Sequence, residues 1–201
     1  MAASEVRALG RSGVSVSSLG LGGVELGPYP DEEPDVATAS QVIAAGVESG
    51  VNWVDTSESY LDGHNETLIG SVLARFDGEV LVASKVAPGT GASGGGSGFR
   101  HDQVHTACRA SLSRLGREHV DIYFLHWPDR TCVPLEESWG AMAELVEQGL
   151  TRAIGLSNYS VEDVERCHAQ HAVDVLQDGL NLIDYLDNRD PFARYLRDGT
   201  A

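Results

Sequence analysis

VNWVDTSESYLDGHNETLIGSVLARFDGEVLVASK, residues Val51–Lys85, contains two apolar runs that end on opposite charges. The first stops at Asp55; the second, Val80–Ala83, is followed closely by Lys85. Between them come Tyr60 and a helical pattern of Leu68, Ile69, Val72, Leu73 and Phe76, stopped by Asp77-Gly78. Charges are costly to bury unless paired, so two of them at strand ends predict a shared polar site.

Outward from this stretch the same alternation continues. On the N-terminal side, Val6–Gly22 reads as a hairpin around Gly10 and Gly13, leading to a first strand near Ser18–Leu21. Gly22 and Gly23 open a loop with Pro28, Pro30 and Pro34, and Val36, Ala39, Ile43 and Val47 then fall at helical spacing. On the C-terminal side, Val104, Cys108, Leu112 and Leu115 mark a helix ended by Gly116, and Val120–His126 reads as a buried strand. Leu135, Trp139, Met142 and Val146 mark a helix face, with Pro134 suited to its start and Gly149 to its end. Arg152–Ser157 is a strand, Ser160 caps a helix through Val164 and Cys167, Val173–Gln177 is a strand, and a short helix covers Phe192–Leu196. About six β-α units with near-continuous apolar strands predict an α/β fold with a parallel sheet, either doubly wound or a (β/α) barrel.

Ala87–Gly98 is rich in glycine, and Gly89–Gly94 matches G-x-G-x-x-G after a strand. A dinucleotide fingerprint needs a helix starting inside the motif. Here Pro88 precedes the glycines and helical spacing starts only near Asp102, so the segment reads as a flexible loop at the rim of a site after Lys85.

With 201 residues and 42% hydrophobic content, the chain can bury one sizeable core, and no composition break divides residues 1–201 into two domains. Thirty acids against 14 Lys and Arg, a formal net charge of −16, argue against nucleic-acid and membrane-surface partners. Cys108, Cys132 and Cys167 lack framework or metal spacing and read as reduced thiols; with no secretory or membrane-spanning segment, the expected location is cytoplasmic and no metal is expected.

Lining up strand ends gives Asp55, Lys85, His126, Ser157 with Asn158, and Gln177, each at the carboxyl end of a different strand. In a barrel those ends converge on one face, whereas in an open sheet they are strung along an edge. The barrel explains more of the pattern. The set suits carbonyl reduction: Lys85, held by Asp55, would lower the pKa of the Tyr60 phenol, and His126 would orient the substrate carbonyl. No side chain supplies hydride, so a nicotinamide cofactor is implied, with Ser157, Asn158 and Gln177 suited to its carboxamide.

The segments NWVDTSESY, GHNETLIG, VLVASKV, SLSRLGREHVDIYFLHWPD, PLEESWGAMAELVEQGLTRAIGLSNYS and VLQDGLNLID resemble the aldo-keto reductase family nearly from end to end. The likeness points to its branch of bacterial general-stress reductases and potassium-channel beta subunits. By this resemblance Asp55, Tyr60, Lys85 and His126 match the catalytic tetrad, with Tyr60 the proton donor. Ser157, Asn158 and Gln177 match the residues that hold the nicotinamide amide, and Gly22 and Gly23 the loop that meets the cofactor. The resemblance implies an eight-stranded TIM-type barrel with NADPH, here incomplete and lacking the last two β-α units, which carry an aromatic that stacks on nicotinamide and groups that grip the adenosine phosphate. A fragment of a longer frame, a barrel completed by self-association or a second chain, and a non-catalytic remnant that binds cofactor or a protein partner all fit that length. The resemblance also places glycine after the tyrosine, where this chain has Leu61.

Overall fold

The computed structural model describes residues 5–27, 35–89, 98–129 and 133–179 of the chain. Most of the glycine-rich segment, the prolines of the first loop, Cys132 and the expected helix at Phe192–Leu196 lie outside the described residues. A hairpin of β1 (Val6–Ala8) and β2 (Ser15–Ser17) precedes six strands: β3 (Leu21–Gly22), β4 (Trp53–Asp55), β5 (Leu81–Val86), β6 (Val120–Leu125), β7 (Thr151–Ser157) and β8 (Val175–Gln177). The first strand of the sheet thus starts at Leu21, three residues later than the alternation predicts. Ser17 ends the hairpin and ties it to the start of β4 through Asn52, whose side-chain carbonyl accepts the Ser17 N–H at 2.7 Å.

The six strands are all parallel and pair in sequence order, β3-β4-β5-β6-β7-β8. A doubly wound sheet reverses its order at a switch point. This one never reverses, so it is a barrel-type sheet of α/β class. Helices α1 (Val36–Glu48), α2 (His64–Leu73), α3 (His101–Leu115), α4 (Leu135–Glu147) and α5 (Val161–Gln170) cover one face. Their sequence signals hold locally: Asp35 accepts the Thr38 N–H, Ser160 accepts that of Asp163, and Gly116 ends α3 at φ +65°.

Strand side chains alternate between faces, and this separates two cores. Val82, Val86, Tyr123, Leu125, Ile154 and Leu156 pack outward against Trp139, Met142 and Leu145 of α4 and the buried side of α3. Leu81, Ala83, Ile122, Phe124, Ala153 and Val175 face inward, where Leu9, Val14 and Val16 of the hairpin region cover them. Gly155 makes this interior close: a Cβ there would lie 2.5 Å from the Val175 carbonyl oxygen and 2.7 Å from the Phe124 ring. The period-two rule then fixes the inner face above that floor. Asp55 follows Trp53, Lys85 follows Ala83, His126 follows Phe124, Ser157 follows Gly155 and Gln177 follows Val175.

Candidate active site

The strand ends bring the polar residues into one chain of contacts. Lys85 Nζ lies 2.5 Å from Asp55 Oδ1 and donates to the Thr56 carbonyl at 2.9 Å. The other Asp55 oxygen accepts the Gln177 amide N–H at 3.0 Å, across 122 positions of sequence. Lys85 Nζ stands 5.1 Å from the centre of the Tyr60 ring, and that ring meets His126 edge-on at 5.6 Å. Asn158 Nδ2 donates to the His126 carbonyl at 3.0 Å and to Ser157 Oγ at 2.9 Å. Gly22 pairs in register with Asp55, and the Gly23 N–H donates to the Asp55 carbonyl at 2.7 Å. All nine residues singled out in the sequence therefore gather at one end of the sheet.

Local backbone explains how Tyr60 reaches this cluster. After β4 the chain stays beside β5, with the N–H groups of Thr56 and Glu58 donating to the carbonyls of Ala83 and Lys85. A tight turn over Tyr60–Gly63 then swings it into α2. Leu61 and Asp62 sit there at φ +54° and +52°, the left-handed region where glycine is at ease. Glycine, which the resembling pattern places after the tyrosine, adopts this conformation freely; here Leu61 takes it at a steric cost.

Electrostatics depart from the expectation at one point. Burial, aided by the Asp55 charge, pushes the Tyr60 phenol up to about 12, whereas the sequence reading has Lys85 lowering it. The ammonium lies 5.1 Å from the ring centre, and its charge is engaged by Asp55. Lys85 itself is pulled below its ordinary value by burial, with Asp55 opposing that shift. Burial and then the nearby Lys85 charge lower His126 to about 3, so its imidazole is neutral at physiological pH.

Two serine hydroxyls meet His126 Nδ1. Ser57 Oγ lies 3.0 Å and Ser59 Oγ 3.3 Å from Nδ1, and Ser57 Oγ already accepts the Ser59 N–H. The Ser57 hydroxyl also lies 2.9 Å from Ser59 Oγ and 3.4 Å from the Lys85 carbonyl; when it donates to Nδ1 instead, the His126 proton rests on Nε2. Sequence reasoning missed both serines, because hydroxyl residues after a strand are ordinary turn formers. It also missed Asn65, wholly buried on α2, whose amide donates to the carbonyls of Gly23 and Gly27 at 2.7 and 3.1 Å and so holds the glycine loop. Buried Glu58 accepts the Ala87 N–H at 2.9 Å, anchoring the exit of β5.

The two glycines differ. A Cβ on Gly22 would meet nothing within 4 Å, whereas one on Gly23 would lie 2.5 Å from the Asp55 carbonyl oxygen. Gly22 presents open backbone beside the cluster; Gly23 is demanded by packing.

A singly wound parallel α/β barrel sheet, with a lysine–carboxylate pair, a phenol and a neutral imidazole at its strand ends, defines the class of this molecule. The aldo/keto reductase family model matches residues 18–198, and the chain belongs to that family. It is 37% identical over 143 residues to an aldo-keto reductase of Mycolicibacterium vanbaalenii, covering 70% of this chain and 44% of the relative. To the aldo-keto reductase YhdN of Bacillus subtilis it is 30% identical over 185 residues, 90% of this chain and 55% of the relative. The solved holo form of the aldo-keto reductase AKR11C1 from Bacillus halodurans superposes with a TM-score of 0.84 at 25% identity, over 98% of this chain and 64% of that one. The chain spans about half the length of the curated relatives it matches. Among the described residues, no helix is long and apolar enough to cross a membrane.

Proposed function

We propose that this site reduces an aldehyde or ketone to an alcohol with NADPH. The observation that carries the reading is the contact chain from Gln177 through Asp55 and Lys85 to Tyr60 and His126. The groups left over suit a nicotinamide carboxamide. Ser157 Oγ accepts from Asn158, and among the described residues its own proton has no acceptor, which leaves it to donate to an amide oxygen. Gln177 spends one N–H on Asp55 and keeps its carbonyl oxygen as an acceptor. Open backbone at Gly22 admits a close approach. When bound, NADPH supplies hydride to the carbonyl carbon.

The chain's own residues do the rest. Tyr60 holds its proton at neutral pH and gives it to the carbonyl oxygen as the alcohol forms. Lys85, beside the ring, counters the negative charge left on the phenol, and Asp55 fixes its direction. Neutral His126, with its proton on Nε2, donates a hydrogen bond that orients the carbonyl. Free thiols at Cys108 and Cys167 support a reducing, cytoplasmic setting.

Carbonyl-dependent oxidation of NADPH by the purified chain tests this reading. Tyr60→Phe is expected to cut that rate by about 10²–10⁴ while cofactor binding and the thermal midpoint hold, the usual contribution of a positioned proton donor. Unchanged turnover in that variant sinks the mechanism. Cofactor binding with no oxidation by the unaltered chain supports instead a binding remnant.

A further inference from the structure

On the outer layer, α3 and α4 lie side by side and share a polar cluster that has no residue in common with the strand-end site. His101 and His105 are four residues apart on α3, so both rings stand on one helix face. Across the groove, Glu144 Oε2 lies 3.0 Å from His101 Nε2 and 3.2 Å from His105 Nε2. The two rings are 4.8 Å apart at their centres, tilted by 42°, and the three ligand atoms all lie within 4.8 Å of one another.

We propose that His101, His105 and Glu144 form a binding site for one zinc-class divalent cation that clips α3 to α4. Two imidazole nitrogens and a carboxylate are a donor set that zinc accepts, leaving a fourth position for water. Zinc-ligand bonds of about 2.0–2.2 Å in tetrahedral geometry separate ligand atoms by about 3.3–3.5 Å. The observed nitrogen–oxygen separations of 3.0 and 3.2 Å need a slight spreading, and the two imidazole nitrogens, within 4.8 Å of one another, close on the ion by side-chain rotation at the exposed groove. Magnesium and calcium prefer all-oxygen sets, so the nitrogen donors select a transition ion.

The surroundings favour a cation. Without one, a single carboxylate oxygen must accept from both imidazoles, fixing each in the same tautomer. Arg109, one turn beyond His105, donates to Gln148 at 3.1 Å rather than to Glu144. Glu137, two turns before Glu144, binds the His101 backbone N–H at 3.1 Å and adds a second negative charge beside the first turn of α3. His101 and Glu144 are exposed and His105 half-buried, which leaves an open path for an ion. A net charge of −16 raises the local concentration of cations.

Calorimetric titration of the chelator-treated 201-residue chain with Zn²⁺ tests the site. The expected result is one ion per chain, a thermal midpoint that rises with Zn²⁺, and an affinity that falls by about 10-fold to 100-fold in His101→Ala, His105→Ala and Glu144→Gln. His119→Ala, which alters an imidazole outside the cluster, is expected to bind as the unaltered chain does. Co²⁺ should give a visible absorption band that the three cluster variants lose, which separates this site from the cysteine thiols. Because the cluster is at the surface and Glu144→Gln keeps the side-chain shape, circular dichroism should show all three variants folded. Absence of uptake, or uptake that stays the same in all three cluster variants, overturns the proposal.

Discussion

Ser84 and Lys85 are neighbours on β5, yet they serve two ion pairs on opposite faces of the sheet. Outward, the Ser84 hydroxyl donates to Glu66 Oε1 at 2.5 Å, while Arg114 binds the other oxygen at 2.6 Å. Inward, Lys85 binds Asp55. The Glu66 side chain is 0% exposed and both its oxygens are satisfied by α3 and β5; its charge also raises the proton affinities of buried Lys85, Cys108 and Tyr123, a smaller effect than that of their burial. The inner pair has its lysine buried and its carboxylate 13% exposed, and it lies against a half-buried phenol and an imidazole whose proton affinities it shifts. Burial alone does not mark a functional charge; what distinguishes the inner pair is that it meets Tyr60 and His126 at the strand ends.

Reciprocal substitutions should pull the pairs apart. Lys85→Met is expected to lower turnover by about 10²–10⁴, since it removes the charge that balances the phenol. Its stability cost should be only about 1.5–3 kcal/mol, because Asp55 keeps the Gln177 amide and some contact with water. Arg114→Met is expected to do the reverse. It strands a fully buried carboxylate at a cost of about 3–5 kcal/mol, with turnover per folded molecule unchanged. Urea unfolding and rate measurements on the same samples check both. A large loss of activity in folded Arg114→Met would erase the distinction.

The two faces were also unequally legible. Asp55, Lys85, His126 and Gln177 stand out in the sequence because each ends an apolar run, and strand periodicity then puts them on one side. Glu66 does not stand out: within NETLIGSVL it occupies a polar position of a helix, where a solvated carboxylate is the ordinary expectation. Its burial follows from how closely α2 meets α3. A Cβ on Gly70 would lie 2.6 Å from the Leu115 carbonyl oxygen, so only glycine lets the helices approach, and no local pattern reports that distance. The sign of the Tyr60 shift was misjudged for a related reason. Pairwise charge reasoning included Lys85 but not the burial of the ring, which is a tertiary quantity.

Acid should reveal the inner face through His126. His126 has a folded pKa of about 3 against an ordinary 6.5, so between those values the unfolded chain binds the extra proton. Stability contributed by neutral His126 is therefore full above pH 6.5, falls as pH drops and is exhausted near 3. Unfolding midpoints in urea measured across this window should slope upward with pH, and His126→Asn should flatten the slope. An unchanged slope in that variant would place the acid sensitivity elsewhere.

The smallest effect concerns Ser57, whose hydroxyl meets the Lys85 backbone carbonyl at 3.4 Å and His126 Nδ1 at 3.0 Å but neither ion-paired side chain. With Ser57→Ala, Nδ1 keeps only the longer 3.3 Å contact to Ser59, and the Nε2–H tautomer loses its strongest support. A fall in kcat of about tenfold, equivalent to about 1.4 kcal/mol, is expected with the fold retained. Nitrogen chemical shifts of His126 distinguish this role from packing: the proton should redistribute toward Nδ1 in Ser57→Ala and return to Nε2 in Ser57→Thr, which keeps the hydroxyl. If turnover falls while the tautomer stays on Nε2, the serine acts by shape alone and the inner face needs no hydroxyl relay to hold its imidazole.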